Sequence, residues 1–389
     1  MTAAAAITIE AMGFSDFHGN PGTVLRLREM LAQGRLPQSV ILAGPEGSGK
    51  YTLAVMLARA LNCVGPEGTP VDRKSDFVFT TDGLPDFCGQ CDNCRKIGEA
   101  ADLEARFNEA IEAREALRDT DKRETRIFVQ THPDVLVIPP DPPQMMIKVD
   151  QVRHVNHTIH YKPAEARRRV FIFTPAPFMK EAANALLKTL EEPPEFATIL
   201  LLVRNPGELL PTVRSRSAIF TLQALPGDEI ERFLARHRPQ WNARQRQLVA
   251  RLSGGAIGRA LSFDLEQYAS ARKDALAVLH TAVSSADHSE LFRTTETYRS
   301  GAEGKEKTDQ LITTTYSLLQ DLMALGAGTP ELVRNTDITA ELKTLAGATD
   351  FEWIVRAVQS LGQLQSGMRR NLLRSLSLDA FAVSLEAQD

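Results

Sequence analysis

No stretch of this 389-residue chain approaches the roughly 20 consecutive apolar residues that a membrane-crossing helix needs, so a helical membrane protein is excluded. The opening "MTAAAAITIEAMGF" has neither a basic start nor a long apolar core. It does not read as a secretory signal, and the expected location is the cytoplasm. Charge of one sign is also lacking: 45 Lys and Arg against 49 Asp and Glu leave a formal net charge of −4. Such a chain has no global field to hold nucleic acid or an anionic membrane, so any such contact must be local. Cysteine is scarce, with four residues, and in the cytoplasm paired disulfides are not expected of them. What is present, 43% hydrophobic and 24% charged residues, reads as a soluble globular protein too long for one ordinary core.

The four cysteines, Cys63, Cys88, Cys91 and Cys94, fall in a C-x24-C-x2-C-x2-C pattern. Four thiolates are a complete tetrahedral set for Zn²⁺, and the tight knuckle lets one short turn present three of them to one ion. With all four positions filled by protein, the metal has no open site for catalysis, so the expectation is a structural zinc. Unrelated thiols and an iron–sulfur cluster are the competing readings.

"GPEGSGKYT", residues 44 to 52, is one residue short of a phosphate-binding loop, G-x-x-x-x-G-K-[ST]. Gly44, Gly49 and Lys50 fit the pattern, but Tyr51 stands where a hydroxyl should ligate Mg²⁺. Thr52 cannot replace it, because one step along a helix turns a side chain by roughly 100°. The loop is therefore read as having kept its shape and lost its reaction. Two alternatives stay open: nucleotide binding without hydrolysis, or glycines that only keep a tight turn.

The apolar runs "SVILAG" (39 to 44), "DVLVI" (134 to 138), "RVFIF" (169 to 173) and "TILLLV" (198 to 203) lack alternation and suit strands buried on both faces. Helical spacing in "YTLAVMLARALN" and "MKEAANALLKTLEEPP" places helices between them, so an α/β domain with a parallel sheet is predicted over residues 1–222. Residues 98–127 read as a charged helical insertion with a narrow stripe of Leu103, Phe107, Ile111 and Leu117. His154, His157 and His160 recur at three-residue steps, a pattern that reads more simply as a surface helix than as a metal site. Strand signals fade after Gly227: a small helical domain is predicted over 223–268 and an all-helical one over 269–389.

Taken together, "VILAGPEGSGK", the cysteine set, "EAANALLKTLEEPPEFATILLL" and "LLPTVRSRS" resemble the delta-prime subunits of the bacterial DNA polymerase III clamp loader, AAA+ ATPase-like proteins. The resemblance runs from about His18 to Arg259. It implies an AAA+ type α/β domain with a zinc knuckle, a helical lid, and a helical collar through which subunits assemble. The implied partners are gamma or tau ATPase subunits and the delta subunit, with the sliding clamp and primer-template DNA reached through the complex, as parts of the DNA polymerase holoenzyme. Active members carry Asp-Glu at the end of the second core strand; alignment places Phe173 and Thr174 there, and neither can hold a cation or take a proton. Nucleotide hydrolysis is therefore not expected, and bound nucleotide is doubtful. "TVRSRS" resembles the family's Ser-Arg-Cys motif with Ser217 in the cysteine's place, which makes Arg216 the implied arginine finger acting on a neighbour's ATP. Surface pairing with a carboxylate is the plainer alternative for Arg216. Arg259 falls near the lid arginine that senses nucleotide in active members, and here a structural role is expected.

The rivals are an active gamma or tau type ATPase, which would need Thr after Lys50 and the missing Asp-Glu pair, and a zinc-dependent nucleic-acid-binding protein. Against the second, "CGQCDNC" contains an acid and no aromatic, with only Arg95 and Lys96 beside it.

Overall fold

The computed structural model describes residues 13–65, 78–79, 82–284, 288–298, 301–368 and 374–385; residues 1–12, and with them the reading of the N-terminal stretch, lie outside it. No helix among the described residues is long and apolar enough to cross a membrane. The chain divides into two compact units, one made of residues up to Pro226 plus Gly255–Leu261, the other of Gly227–Gly254 plus Ser262 onward.

In the first unit the expected strands lie at Ser39–Ala43 (β1), Val135–Ile138 (β5), Arg169–Phe173 (β6) and Ala197–Val203 (β7). Two strands were not expected in this sheet, Val129–His132 (β4) and Ala218–Thr221 (β8); Val78–Phe79 (β2) and Pro85–Asp86 (β3) pair separately as a short antiparallel ribbon. The main sheet runs β4-β5-β6-β7-β1-β8 and is parallel except at β4, which pairs antiparallel with β5. Both unexpected strands are edges of four residues with mixed burial, so neither carries the continuous apolar signal that marks the interior.

Alternation along the inner strands builds two cores. Val40 and Leu42 of β1, Val170 and Ile172 of β6, and Leu200 and Leu202 of β7 face one side. That side is covered by Pro21–Ala32 (α1), Lys50–Asn62 (α2) and the knuckle helix Asp92–Glu99 (α3). Ile41, Phe171, Phe173, Ile199 and Leu201 face the other, beneath Val149–Thr158 (α6) and Lys180–Glu191 (α7). Each such fully buried side chain contributes about 1.5–3 kcal/mol, which fixes the register by which β6 and β7 present their C-terminal ends.

The charged stretch after the knuckle forms two helices, Leu103–Glu115 (α4) and Asp119–Glu124 (α5). Leu103, Phe107 and Ile111 are half-buried while Leu117 stays exposed. An unforeseen charge cluster anchors it: Arg114 donates to the fully buried Asp141 at 3.1 Å, and Lys148 reaches the other carboxylate oxygen at 2.7 Å. The Ile127 amide also donates to Asp141, at 3.0 Å. A short helix, Pro211–Arg214 (α8), follows β7.

The second unit is helical, as predicted for the C-terminal region: Gly227–His237 (α9), Ala243–Leu252 (α10), Leu265–Ser284 (α12), Ser289–Glu296 (α13), Gly301–Gly326 (α14), Thr339–Gly347 (α15), Phe351–Met368 (α16) and Arg374–Ser384 (α17). Between α10 and α12, Ile257–Leu261 (α11) returns to the first unit. Leu279, Leu318, Leu322, Ala357, Leu361 and Leu378 form the bundle core. Asp321 pins the connection after α14 by accepting from the Arg334 and Asn335 amides at 2.7 and 2.9 Å.

Candidate functional site: a degenerate phosphate loop, a cysteine knuckle and an exposed arginine

The glycine loop joins β1 to α2 as the sequence requires, and the structure brings Gly44, Gly49 and Lys50 together there. At Gly44 a Cβ would come within 2.4 Å of the Leu222 carbonyl oxygen, so no side chain fits. Gly47, with φ +76°, faces a second obstruction, since a Cβ there would sit 2.7 Å from Arg259 Cγ. Arg259 is thus stationed beside the loop, and the adjoining Gly258 amide donates to the Gly47 carbonyl at 2.8 Å. The Gly47 carbonyl is thereby held by the chain's own backbone.

Lys50 is only 4% exposed. Its ammonium turns back into the loop, donating to the Gly44 carbonyl at 2.7 Å and the Pro45 carbonyl at 2.6 Å. Burial pushes its pKa below the usual lysine value, with Arg204 adding to the depression and Glu46 and Glu208 opposing it. At the loop's outer side Glu46 pairs with Arg204 at 3.0 Å. The Glu46–Arg204 pair was not legible in the motif, because it uses residues that the pattern leaves unspecified.

Tyr51 points away from the loop. Its ring packs on the core and its hydroxyl donates to the Ala100 carbonyl just past α3, at 2.5 Å. Burial, with help from Asp102, raises its pKa, so it is a neutral donor at any physiological pH. The position that carries a metal-ligating hydroxyl in the phosphate-loop pattern here ties α2 to the knuckle helix. At the end of β6, Phe173 is fully buried and packs at a tilt against Phe178, ring centroids 5.6 Å apart. Thr174 is buried and bonded to the Ile138 carbonyl through its amide at 3.1 Å. The strand end offers no carboxylate from either position.

Cys63, Cys88, Cys91 and Cys94 do converge: their sulfurs all lie within 4.8 Å of one another. A tetrahedral Zn–S distance of about 2.3 Å calls for sulfurs about 3.8 Å apart, so the set closes on an ion with small adjustment. Backbone amides aim at the sulfurs, Cys88 N to Cys63 Sγ at 3.2 Å and Cys91 N to Cys88 Sγ at 3.3 Å, which is the environment thiolates need. Hydrogen bonding between Cys63 and Cys91 pushes the Cys63 thiol up to about 12 and pulls the Cys91 thiol well below its usual value, so the four thiols do not all ionise together on their own. A divalent ion reverses that balance. The cluster could hold a metal ion. His154, His157 and His160 join no comparable cluster among the described residues; His154 packs against Phe128 and His157 against Tyr161.

The knuckle is built into the sheet by polar contacts. Asn93 of α3 donates to the Asn62 carbonyl at 2.9 Å and meets His132 Nε2 at 3.2 Å. His132 Nδ1 accepts from the Asp134 amide at 3.1 Å, which fixes the proton on Nε2. Asp134 in turn accepts three amides, from Ala164, Glu165 and Ala166, each at 2.8 Å.

Arg216 lies in the turn after α8. Ser217 fixes that turn, donating to the Val213 carbonyl at 2.9 Å and sharing a 2.7 Å hydrogen bond with Ser39 at the start of β1. The Arg216 side chain is 36% exposed, held by Glu191 at 2.8 Å and by the Thr212 carbonyl at 3.0 Å. In this isolated chain the plainer alternative, pairing with a surface carboxylate, describes its contacts. One Nη2 hydrogen and the Nε–H keep the guanidinium able to bind more than it now does.

The family model described as "DNA polymerase III, delta subunit" matches residues 19–226. The tau subunit of DNA polymerase III from Escherichia coli is 27% identical over 357 residues, 90% of this chain and 43% of the relative. The delta-prime subunit from Pseudomonas aeruginosa is 30% identical over 218 residues, 56% of this chain and 52% of the relative. The chain thus spans about half or less of the length of the relatives it matches. Among solved structures, a gamma-subunit-related protein from Thermotoga maritima is 22% identical at a TM-score of 0.31, covering 65% of this chain and 82% of that one. The Bacillus subtilis DNA clamp loader delta protein is 9% identical at a TM-score of 0.31, covering 93% and 98%. With more than half its length matched to that family model, the chain belongs to the DNA polymerase III delta-subunit family, a family of clamp-loader proteins.

Proposed function

We propose that this chain is a non-hydrolysing clamp-loader subunit of the delta-prime type. It assembles with gamma or tau ATPase subunits and a delta subunit in the cytoplasm, and helps place the sliding clamp on primed DNA. The observation that carries this reading is the state of its own nucleotide pocket. Lys50 is spent on loop carbonyls, Tyr51 on Ala100, and the end of β6 offers Phe173 and Thr174 where metal-binding carboxylates would be needed. Losing metal placement and the water-polarising acid each costs several kcal/mol of transition-state stabilisation, at a factor of ten per 1.36 kcal/mol. An active gamma or tau type ATPase is not supported by such a pocket.

The chemistry of the reading lies at Arg216. A planar, permanently charged fork suits the charge that shifts onto phosphate oxygens during phosphoryl transfer, and an arginine finger is worth about 10³–10⁵ in rate. The rigid turn held by Ser217 and Ser39 aims it, while the Glu191 pair, between two exposed groups, is worth no more than about 1 kcal/mol and yields readily to a phosphate. The four cysteines hold a structural Zn²⁺. The chain is organised as an α/β domain over 1–222, a lid over 223–268 and a collar over 269–389.

The test is Arg216→Ala in the reconstituted complex. Assembly stays intact, and ATP turnover at the site facing this subunit falls by at least about a hundredfold. Full turnover with intact assembly would overturn the finger, and failure of the chain to co-purify with clamp-loader subunits would overturn the whole reading.

A further inference from the structure

The chain is acidic overall, yet between Arg232 and Arg251 it carries six arginines and neither Asp nor Glu. That stretch is the second half of α9, the turn after it, and most of α10, an antiparallel pair within the second unit. Four of the arginines, Arg236, Arg238, Arg244 and Arg246, fall within eleven residues around the tip. The cationic density is therefore local and dictated by sequence, where the whole-chain balance predicts none.

The structure divides these residues into two kinds. Arg238 lies over the Trp241 ring at 5.8 Å, and the Trp241 amide donates back to the Arg238 carbonyl at 3.0 Å. Arg246 donates to the Trp241 carbonyl. These two brace the turn around the tryptophan. Arg236 and Arg244 are exposed, and among the described residues no ion pair or hydrogen bond occupies either guanidinium. Farther back, Arg232 is already neutralised by Asp228 at 2.8 Å, and Arg251 is committed to the Val333 carbonyl at 2.7 Å. The result is a rigid tip that displays unspent forked cations beside the Asn242-capped start of α10, whose dipole adds positive potential.

We propose that this tip is a binding surface for the phosphodiester backbone of nucleic acid. Guanidinium forks match phosphate oxygens in charge and geometry, and the braced turn means little side-chain ordering is needed on contact. An anionic bilayer fits less well. Among the described residues, no exposed large apolar side chain lies in 227–254 to enter the interface. The surface contacts backbone and not base edges, so it carries no sequence preference. It stands independently of Arg216, which belongs to the other unit.

The experiment uses the full chain, zinc-loaded, with a fluorescent primed duplex titrated by anisotropy between about 50 and about 200 mM salt. Wild type binds with an affinity that falls with salt. Arg236→Gln combined with Arg244→Gln, at equal melting temperature and zinc content, weakens binding about tenfold or more at the lowest salt. It also flattens the log–log salt slope by about two, at roughly 0.9 per phosphate contact. The double lysine variant at the same positions retains most of that slope. Absence of salt-dependent binding by wild type, or an unchanged affinity and slope in the double glutamine variant, would overturn the proposal. So would binding to phosphatidylserine vesicles but not to the duplex.

Discussion

Restoring the phosphate-loop pattern with Tyr51→Thr supplies the hydroxyl that the motif demands, and on pattern alone it should awaken a nucleotidase. The structure predicts the opposite outcome. The tyrosine ring packs against the core around α2 and α3, and trimming a partly buried aromatic of this kind costs about 2–4 kcal/mol. Its hydroxyl satisfies the Ala100 carbonyl, and leaving that acceptor unpaired adds about 1 kcal/mol. For a unit of this size each kcal/mol lowers the melting temperature by about 2–4 °C, so a fall of roughly 10 °C is expected. No turnover appears in exchange. Lys50 still serves the Gly44 and Pro45 carbonyls, and Phe173 and Thr174 still offer no carboxylate for Mg²⁺ or water. Thermal melts by circular dichroism, alongside phosphate release with ATP and Mg²⁺, measure both effects. Mg²⁺-dependent turnover above wild type, or an unchanged melting temperature, would refute the reasoning.

Two further outcomes follow from the knuckle and its anchorage. Metal analysis returns about one zinc per chain, and Cys94→Ser, which removes a fully buried sulfur, abolishes it and lowers the melting temperature; full stability in metal-free protein would sink the structural assignment. Burial holds His132 and His154 below the ordinary histidine value of 6.5, so both are neutral in the folded chain. The unfolded chain takes up those protons first, and stability is therefore lost as pH falls below about 6.5. Asp134 adds to the acid loss at lower pH: burial works to raise its pKa, but three amide bonds outweigh it and bring it below 3.8. Melting temperature should be level from pH 8 to about 7 and decline below it, with a shallower decline in His132→Gln; a profile that rises on acidification contradicts the buried-neutral account.

The interior strands were legible because residues buried on both faces must be apolar without alternation, and β1, β5, β6 and β7 meet that condition. β4 and β8 escaped notice because an edge needs only half a core: "VQTH" and "AIFT" are too short and too polar to stand out. The cysteine cluster was readable from spacing alone, since a two-residue gap geometrically forces neighbouring thiols together. The loop's internal contacts were not. They depend on Gly258 and Arg204, distant in sequence, and on which way Lys50 turns, which a motif cannot encode. The arginine-rich tip was present in the letters as a run without acids, but a whole-chain charge of −4 conceals it.

Because Lys50 acts as the built-in counter-ion for its own loop, that segment does not wait for a ligand to become ordered. Its geometry is set when the chain folds, whatever the cell's ratio of ATP to ADP. On the proposed reading, ATPase neighbours would then dock against a surface that holds still, and the calorimetric trace of this chain should look the same with and without added triphosphate.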